Sequence, residues 1–279
     1  MGEATGWYRR AYVDLHGMPS WADLASPDPR ASKEFYSGLF GWGSYTLNAD
    51  ALGDYEVFTD GERESGVAGL QVLTDDTQPP SWTCYFRVDD VDASVGTVLA
   101  AGGHLRVDPV DVAHIARIAL FADDQGAEFA VWQPGASGDT TVIGDRSAAR
   151  WVELACRDVD RAERFYGAVF GWSAEKLDDP RFTYTRWSAG RVLVAGVVPM
   201  GGQWPAGHPS HWTPYFEAPD CAAATAEATA MGARVRLPPT TIAEGTISLM
   251  TDPVGVRFGV IAPKPPAGSA GLTSPAAGR

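Results

Sequence analysis

The segment WADLASPDPRASKEFYSGLFGW, from Trp21 to Trp42, returns 130 residues later as WVELACRDVDRAERFYGAVFGW, from Trp151 to Trp172. The two segments align without a gap. The likeness continues in SWTCYF against HWTPYF, and near the two ends in DDQGAEFAVWQP against DPVGVRFGVIAP. Self-similarity over so long a stretch is the signature of a duplicated domain. The sequence therefore predicts two copies of one fold in a single chain.

The extent of the repeat predicts the domain boundaries. The first domain is expected at 20–135, after an N-terminal extension over 1–19, and the second at 148–263. Between them, 136–147 reads as a polar linker rich in Gly and Ser, and the tail 264–279 is rich in Pro, Gly and Ala. Such compositions favour extended or flexible chain, so the tail is predicted to be disordered.

Composition and charge limit the classes of function. Hydrophobic residues make up 45% and charged residues 20%, which is typical of a globular protein. The net charge of −13 repels phosphate backbones and anionic lipid, so neither a nucleic acid nor a membrane is expected as a partner. The first twenty residues lack the apolar core of a signal peptide, and the three Cys residues form no CxxC motif. A reducing, cytoplasmic location without disulfides is predicted.

Each predicted domain divides again into two similar modules. Asp28-Pro29 is typical of a helix start, Phe35 and Leu39 recur at helical spacing, and Gly41 is placed to end the helix. Strands are expected before and after this helix, and the second half of the domain repeats the order. The unit is β-α-β-β-β and occurs four times. The predicted fold class is α+β, with curved mixed sheets and helices outside.

This pattern resembles the vicinal oxygen chelate superfamily, which includes glyoxalases, bleomycin-resistance proteins and extradiol dioxygenases. The resemblance is carried by the four strand-helix starts, by the FGW that follows the first helix of each domain, and by the closing D-x-x-G-x-x-F-x-V strands. The doubled form is similar to two-domain actinobacterial members described as hydroxylase or glyoxalase-like. The resemblance implies the fold, whereas the superfamily hosts isomerases, dioxygenases, lyases, thiol transferases and binding proteins on one scaffold.

Metal-dependent members of the superfamily hold a divalent ion with His, Gln or Glu at four positions on the first and last strands of their modules. Carried over to this sequence, those positions fall at Trp21 and Trp151, at Thr83 and Thr213, at Ala130 and Gly259, and within GVAGLQ and VAGVVP. No His or Glu stands at any of them. The five His residues show no HxxxH or HExxH spacing either. We therefore predict no metal and no other cofactor.

Strand alternation predicts which side chains line the cavity. If Trp21 faces inward, Asp23 does too, while Trp82 and Trp212 lie under the helices. The candidate ligand-binding residues are Trp21, Thr83, Tyr85, Glu128 and Trp132 in the first domain, and Trp151, Trp187, His211, Tyr215 and Glu217 in the second. Asp23 and Glu153 are the candidate catalytic residues, because an acid in a poorly solvated aromatic pocket has a raised pKa and can act as general acid or base.

Structural roles for the same residues stay open. Ten Trp residues can fill four small cores, and a buried acid can be satisfied by neighbouring hydrogen-bond donors. A lone His on a strand is more often structural than catalytic. A structural role is therefore an alternative for Trp21, Trp151, Asp23, Glu153 and His211.

The sequence is compatible with three functions. The first is a metal-free enzyme of natural-product biosynthesis that moves a proton in a bulky aromatic molecule, in a cyclisation, isomerisation, ring opening or elimination. The second is a non-catalytic binder, such as a resistance or sequestration protein or an accessory to an oxygenase. The third is a metalloenzyme with non-standard ligands such as Asp23 or Glu128. The expected partner is an aromatic small molecule, and the two domains are expected to pack on each other, with a homodimer left open.

Overall fold

The computed structural model describes residues 15–49, 53–61, 66–73, 78–112, 115–135, 149–177, 183–202, 204–242 and 244–264. The first half of the chain contains β1 (Pro19–Ser26), α1 (Pro29–Phe40), β2 (Gly43–Ala49), β3 (Gly53–Thr59), β4 (Gly66–Val72), β5 (Ser81–Arg87), α2 (Val91–Ala100), β6 (His104–Val112), β7 (Ala116–Ala122) and β8 (Glu128–Pro134). The second half contains β9 (Ala149–Cys156), α3 (Val159–Phe170), β10 (Ser173–Leu177), β11 (Tyr184–Ala189), β12 (Val192–Pro199), β13 (His211–Glu217), α4 (Cys221–Ala230), β14 (Arg234–Ile242), β15 (Gly245–Thr251) and β16 (Arg257–Pro263).

Each half of the chain forms one eight-stranded mixed sheet. The strand order is β2-β3-β4-β1-β5-β8-β7-β6 in the first sheet and β10-β11-β12-β9-β13-β16-β15-β14 in the second. The central strands β1 and β5 pair antiparallel, and each then pairs with the last strand of its own module in parallel. The repeated β-α-β-β-β unit and the α+β fold class are confirmed.

The helix boundaries follow the signals in the sequence. Asp28 accepts a hydrogen bond from the backbone N–H of Ala31, which satisfies a donor that has no partner within the helix. Gly41 ends α1 in the left-handed conformation, with φ of 69°, and Gly171 ends α3 in the same way. On α2, Val91 and Val98 are buried, whereas Leu99 is 50% exposed, because one further residue turns the side chain about 100° around the helix.

The buried cores join the two halves of the chain. One apolar cluster packs Val91 and Val98 of α2 against Phe165 of α3, and a second packs Phe35 of α1 against Cys221 of α4. The helices therefore cover the side of each sheet opposite to its concave face. Each half supplies one of its two helices to each shared core.

The ends of the chain add two details. The side chain of Met18, within the predicted extension, is 2% exposed and belongs to the core around α2 and α3. The predicted linker 136–147 and the predicted tail, apart from Lys264, lie outside the described residues.

Cys84, Cys156 and Cys221 are free and buried. In the described part of the chain, no helix has the length and apolar character needed to cross a membrane.

Candidate functional site

The strand register places the predicted aromatic and acidic side chains on the concave faces. Trp21 lies opposite Tyr85, and Asp23 lies opposite Thr83, on the antiparallel pair β1 and β5. Directly opposed residues of two strands share a face. The corresponding pairs of the second sheet are Trp151 with Tyr215 and Glu153 with Thr213. Trp82 and Trp212 lie opposite Leu24 and Leu154, within the helix-side cores, as predicted.

On the first concave face, Asp23 is closed in by hydrogen-bond donors. Its Oδ1 accepts a 2.6 Å bond from Nε1 of Trp21 and a short bond from the hydroxyl of Tyr55, and Tyr85 donates to the same carboxyl group. Asp23 is only 5% exposed. Around this cluster, Trp132 and a set of aliphatic side chains form an apolar lining that includes Val57, Val112, Ile115 and Ile118.

Trp132 brings an unused donor to the same face. Its side chain is 4% exposed, and within the described residues its indole N–H has no hydrogen-bond partner. A buried donor without a partner is costly, and a ligand oxygen would satisfy it. The structure thus supports the predicted inward placement of Trp132.

On the second concave face, Glu153 is held by two tyrosines. Tyr215 donates a 3.0 Å hydrogen bond to Oε1 of Glu153, and Tyr184 donates to the same carboxyl group. Trp151 donates instead to the hydroxyl of Tyr184, at 3.0 Å. Glu153 keeps part of its surface exposed, unlike Asp23. Glu153 therefore combines a restrained geometry with partial exposure.

Burial perturbs both carboxyl groups in the same direction. The loss of water around Asp23 raises its pKa, and the hydrogen bonds from Tyr55, Tyr85 and Trp21 oppose this rise. Burial likewise raises the pKa of Glu153, against the bonds from Tyr215 and Tyr184. Burial also raises the pKa of each of these four tyrosines well above its usual value, so their hydroxyl groups remain donors.

The sequence reasoning missed Tyr55 and Tyr184. They occupy equivalent places on β3 and β11 and reach their acids across Gly69 and Gly196 of the neighbouring strands. A Cβ atom at either glycine would lie 1.8 Å from the tyrosine hydroxyl, so glycine is required there. The available signal was a Tyr near the start of both corresponding strands, followed on the next strand by a glycine.

Three predicted cavity residues lie elsewhere. Trp187 belongs to the helix-side core against Tyr166, because it stands three residues after Tyr184 and strand alternation turns it to the opposite face. Glu128 is 62% exposed at the start of β8 and pairs with Arg106, and Glu217 is exposed at the end of β13 and pairs with Arg150. Alternation predicts the side on which a residue lies, but a strand end leaves that side chain in solvent.

His211 does lie at the second concave face. It is opposite Ala155 in the register of β9 and β13, two residues from Thr213. Its Nδ1 is 3.1 Å from the carbonyl of Pro209 and its Nε2 is 2.6 Å from Nη1 of Arg257. Burial lowers the pKa of His211 to about 4, so the ring is neutral near pH 7. With the proton on Nδ1, the ring accepts a hydrogen bond from Arg257.

Comparison with known proteins yields related chains of matching length. The anthracycline biosynthesis protein DnrV of Streptomyces peucetius is 35% identical over 257 residues, covering 88% of this chain and 93% of that protein. A family model described as a glyoxalase-like domain matches residues 151–261.

The chain belongs to the glyoxalase-like family of the vicinal oxygen chelate superfamily. Solved structures of other proteins have a similar fold. The 2,3-dioxygenase LapB from Pseudomonas sp. KL28 superimposes with a TM-score of 0.63 at 13% identity, over 88% of this chain and 93% of that one. The Mn(II)-bound glyoxalase from Novosphingobium aromaticivorans superimposes with a TM-score of 0.60 at 17% identity, over 90% and 83%. At these identities the likeness concerns the glyoxalase-like fold alone.

The positions at which metal-binding members of the superfamily place their ligands do not fit a divalent ion in this glyoxalase-like protein. Trp21 and Trp151 offer only an indole N–H, which is a donor and cannot bind a cation. A Cβ at Gly259 would lie 2.1 Å from the ring of Tyr215, so an aromatic side chain already occupies that space. Among the described residues, no group of three His, Cys, Asp or Glu side chains is arranged to hold a metal.

Proposed function

We propose that this protein binds a bulky aromatic small molecule of natural-product biosynthesis on the concave face of its second sheet, and that Glu153 moves a proton on that molecule without a metal ion. The observation that carries the proposal is a carboxyl group held by Tyr184 and Tyr215 on an accessible face next to Trp151. The name of DnrV, an anthracycline biosynthesis protein, supports the class of molecule.

The lining of the second face suits a flat ligand with polar substituents. Aromatic side chains supply contact area, and the aliphatic residues Leu193, Ile247 and Ile261 complete an apolar wall. Glu153 and Arg186 are the ionisable residues of this wall. Arg186 donates a 3.0 Å hydrogen bond to the carboxylate of Glu244. A ligand with a few oxygen atoms on an aromatic skeleton matches this mixture.

Glu153 is a better proton carrier than Asp23 for a geometric reason. Asp23 accepts bonds from three donors and is almost completely buried, so a ligand would have to displace Trp21, Tyr55 or Tyr85 to reach it. Glu153 accepts bonds from two donors and is partly exposed. The two carboxyl groups thus occupy equivalent positions with different accessibility.

The chemistry that Glu153 supports is general acid–base catalysis. Its raised pKa brings the protonated and ionised forms closer to balance near neutral pH, where a catalytic acid or base works best. The carboxylate takes a proton from an acidic C–H or O–H of the ligand and returns it at another atom. Tyr184 and Tyr215 keep the carboxyl group in place. Cyclisation, isomerisation, ring opening and elimination share this proton transfer.

Hydrogen–deuterium exchange tests proton transfer without knowledge of the full reaction. Polycyclic aromatic ketones with an acidic C–H, such as anthrone, are incubated with the protein in deuterated buffer, and deuterium uptake is followed by mass spectrometry. We expect the wild type to accelerate exchange, Glu153→Gln to lose at least about 100-fold of that acceleration, and Asp23→Asn, the matched control, to retain it.

Two results would contradict this proposal. Equal exchange by wild type and Glu153→Gln would remove Glu153 from the chemistry. Tight binding of the ketones with no exchange and no product would identify a non-catalytic binding protein instead.

A further inference from the structure

The two sheets differ in charge at one pair of equivalent positions. In the first sheet, Arg106 on β6 lies 3.7 Å from the carboxylate of Glu128 at the start of β8. In the second sheet, the corresponding residues are Arg236 on β14 and Arg257 at the start of β16. An Arg–Glu ion pair in the first sheet therefore corresponds to two arginines in the second sheet.

The side chains that contact Arg257 in the described structure are uncharged. Its guanidinium lies 4.6 Å from the ring centroid of Trp204, and Nη1 donates to Nε2 of His211 at 2.6 Å. Across the parts of the chain that the structure describes, no carboxylate pairs with it. Arg236 donates to the hydroxyl of Thr251 at 2.9 Å rather than to an acid. Within the described residues, these two adjacent arginines therefore form no ion pair with an acid, in a protein whose net charge is −13.

Further basic and neutral groups surround this pair. His208 stacks on Trp204 at 5.1 Å, and burial lowers the pKa of His208, with smaller contributions from the nearby cations Arg257 and Arg157. Burial and the charge of Arg236 also lower the pKa of Arg257. An uncompensated, partly buried cation is costly, and a bound anion would offset this cost.

This basic cluster, which we define as Arg236 and Arg257 with His211 and Trp204, adjoins the proposed catalytic residue. The charge of Arg257 acts on Tyr215, and Tyr215 donates its hydroxyl to Glu153. Tyr215 also pairs with Gly259, two residues beyond Arg257 on the same strand. Arg257 and Glu153 thus both act on Tyr215 and lie near each other on the second sheet.

We propose that the basic cluster binds a carboxylate carried by the aromatic ligand and so orients that ligand over Glu153. The guanidinium presents planar donors to a planar carboxylate, and the ring of Trp204 packs against that guanidinium. Neutral His211 fixes Arg257 without adding a competing charge. The inference rests on the proposed function, because it names the substituent of the same ligand.

The test compares two probes that share one aromatic skeleton and differ at a single substituent, which is an anion in one and neutral in the other. Binding of anthraquinone-2-carboxylate and of anthraquinone-2-carboxamide is measured by isothermal titration calorimetry at fixed ionic strength. We expect the wild type to bind the carboxylate at least about tenfold more tightly than the carboxamide, since charge-assisted hydrogen bonds are the stronger ones. In Arg257→Gln this preference should vanish, while carboxamide binding stays within about twofold of wild type.

A matched control comes from the first sheet. Glu128→Gln alters the equivalent position there and should leave the preference for the carboxylate unchanged, and Arg257→Lys should restore part of it. Equal affinity of both probes for the wild type would overturn the basic cluster as a carboxylate site while leaving aromatic binding intact. Failure of both probes to bind would contradict the proposed function together with this inference.

Discussion

The hydroxyl of Tyr36 on α1 donates a 3.0 Å hydrogen bond to Oδ2 of Asp252, which lies after β15 in the other half of the chain. The reciprocal bond runs from Tyr166 on α3 to Oδ2 of Asp123, after β7, also at 3.0 Å. Each of these residues is the Tyr of the repeated FY pair, and its hydroxyl contacts the sheet of the other half of the chain. The duplicated halves are joined by two equivalent polar links inside shared apolar cores.

Removal of one link should destabilise the whole protein. Tyr36→Phe removes the hydroxyl that donates to Oδ2 of the buried Asp252 carboxyl. The other oxygen of this carboxyl keeps its hydrogen bonds from the backbone N–H groups of Val254 and Val256. We expect the free energy of unfolding to fall by about 1.5–3 kcal/mol. Tyr166→Phe should have a similar effect. Urea unfolding measures both, with Tyr45→Phe at an exposed position as the control. A loss no larger than that of the control would show that the links contribute little.

The glycine on β4 beneath the Asp23 cluster should tolerate no side chain. A Cβ at Gly69 would lie 1.8 Å from the hydroxyl of Tyr55 and 2.0 Å from Oδ1 of Asp23, so Gly69→Ala should cost about 1–3 kcal/mol through overpacking. Gly96 on α2 has nothing within 4 Å of its Cβ position. Gly96→Ala should instead stabilise by about 0.5–1 kcal/mol. Thermal unfolding of the two variants should show shifts of opposite sign.

The raised pKa of Asp23 predicts a pH-dependent stability difference. The unfolded carboxyl ionises near pH 4, whereas the folded carboxyl keeps its proton to higher pH, so its favourable contribution is present below pH 4 and is lost as the pH rises through the folded pKa. Asp23→Asn has no ionisable carboxyl at this position, so its stability does not fall in this way as the pH rises. The stability of the variant relative to wild type should therefore increase between about pH 4 and the raised pKa of Asp23.

Asp160 serves as the control for this titration, because the pKa of its carboxyl is shifted in the opposite direction. Lys176 lowers the pKa of Asp160, so the contribution of Asp160 is lost as the pH falls below about 4. Unfolding midpoints measured at several pH values for Asp23→Asn and Asp160→Asn check both trends. A pH-independent difference between Asp23→Asn and wild type would contradict the assignment of Asp23 as a carboxyl with a raised pKa.

Chelation of metals should leave the protein unchanged. The superfamily ligand positions carry Trp, Thr, Ala and Gly, and Tyr184 and Tyr215 occupy the space beside Gly196 and Gly259. We therefore expect EDTA treatment, and the addition of Mn²⁺ or Zn²⁺, to alter neither the melting temperature nor the binding of anthraquinone-2-carboxylate. Elemental analysis that finds one tightly held metal ion per chain would overturn the proposed metal-free chemistry.

Part of the candidate site was predictable because strand alternation is a local property. Trp21, Asp23 and Tyr85 lie on the expected face, since the spacing of residues along a strand determines the side on which each one lies. Trp187 was misplaced because its strand offered no known inward residue from which to count. Glu128 and Glu217 show a second limit, because alternation does not tell how far a strand end projects into solvent.

By itself the sequence determined the duplication, the β-α-β-β-β unit, the helix ends at Gly41 and Gly171, and the absence of a His or Glu at the inherited ligand positions. These features depend on residue type and on spacing within a short segment. Only the tertiary structure decided that Tyr184 and Tyr215 hold Glu153 and that Arg257 meets Arg236 and His211 rather than an acid. Those contacts join strands that are distant along the chain, and the pairing of these strands within one sheet brings the residues together.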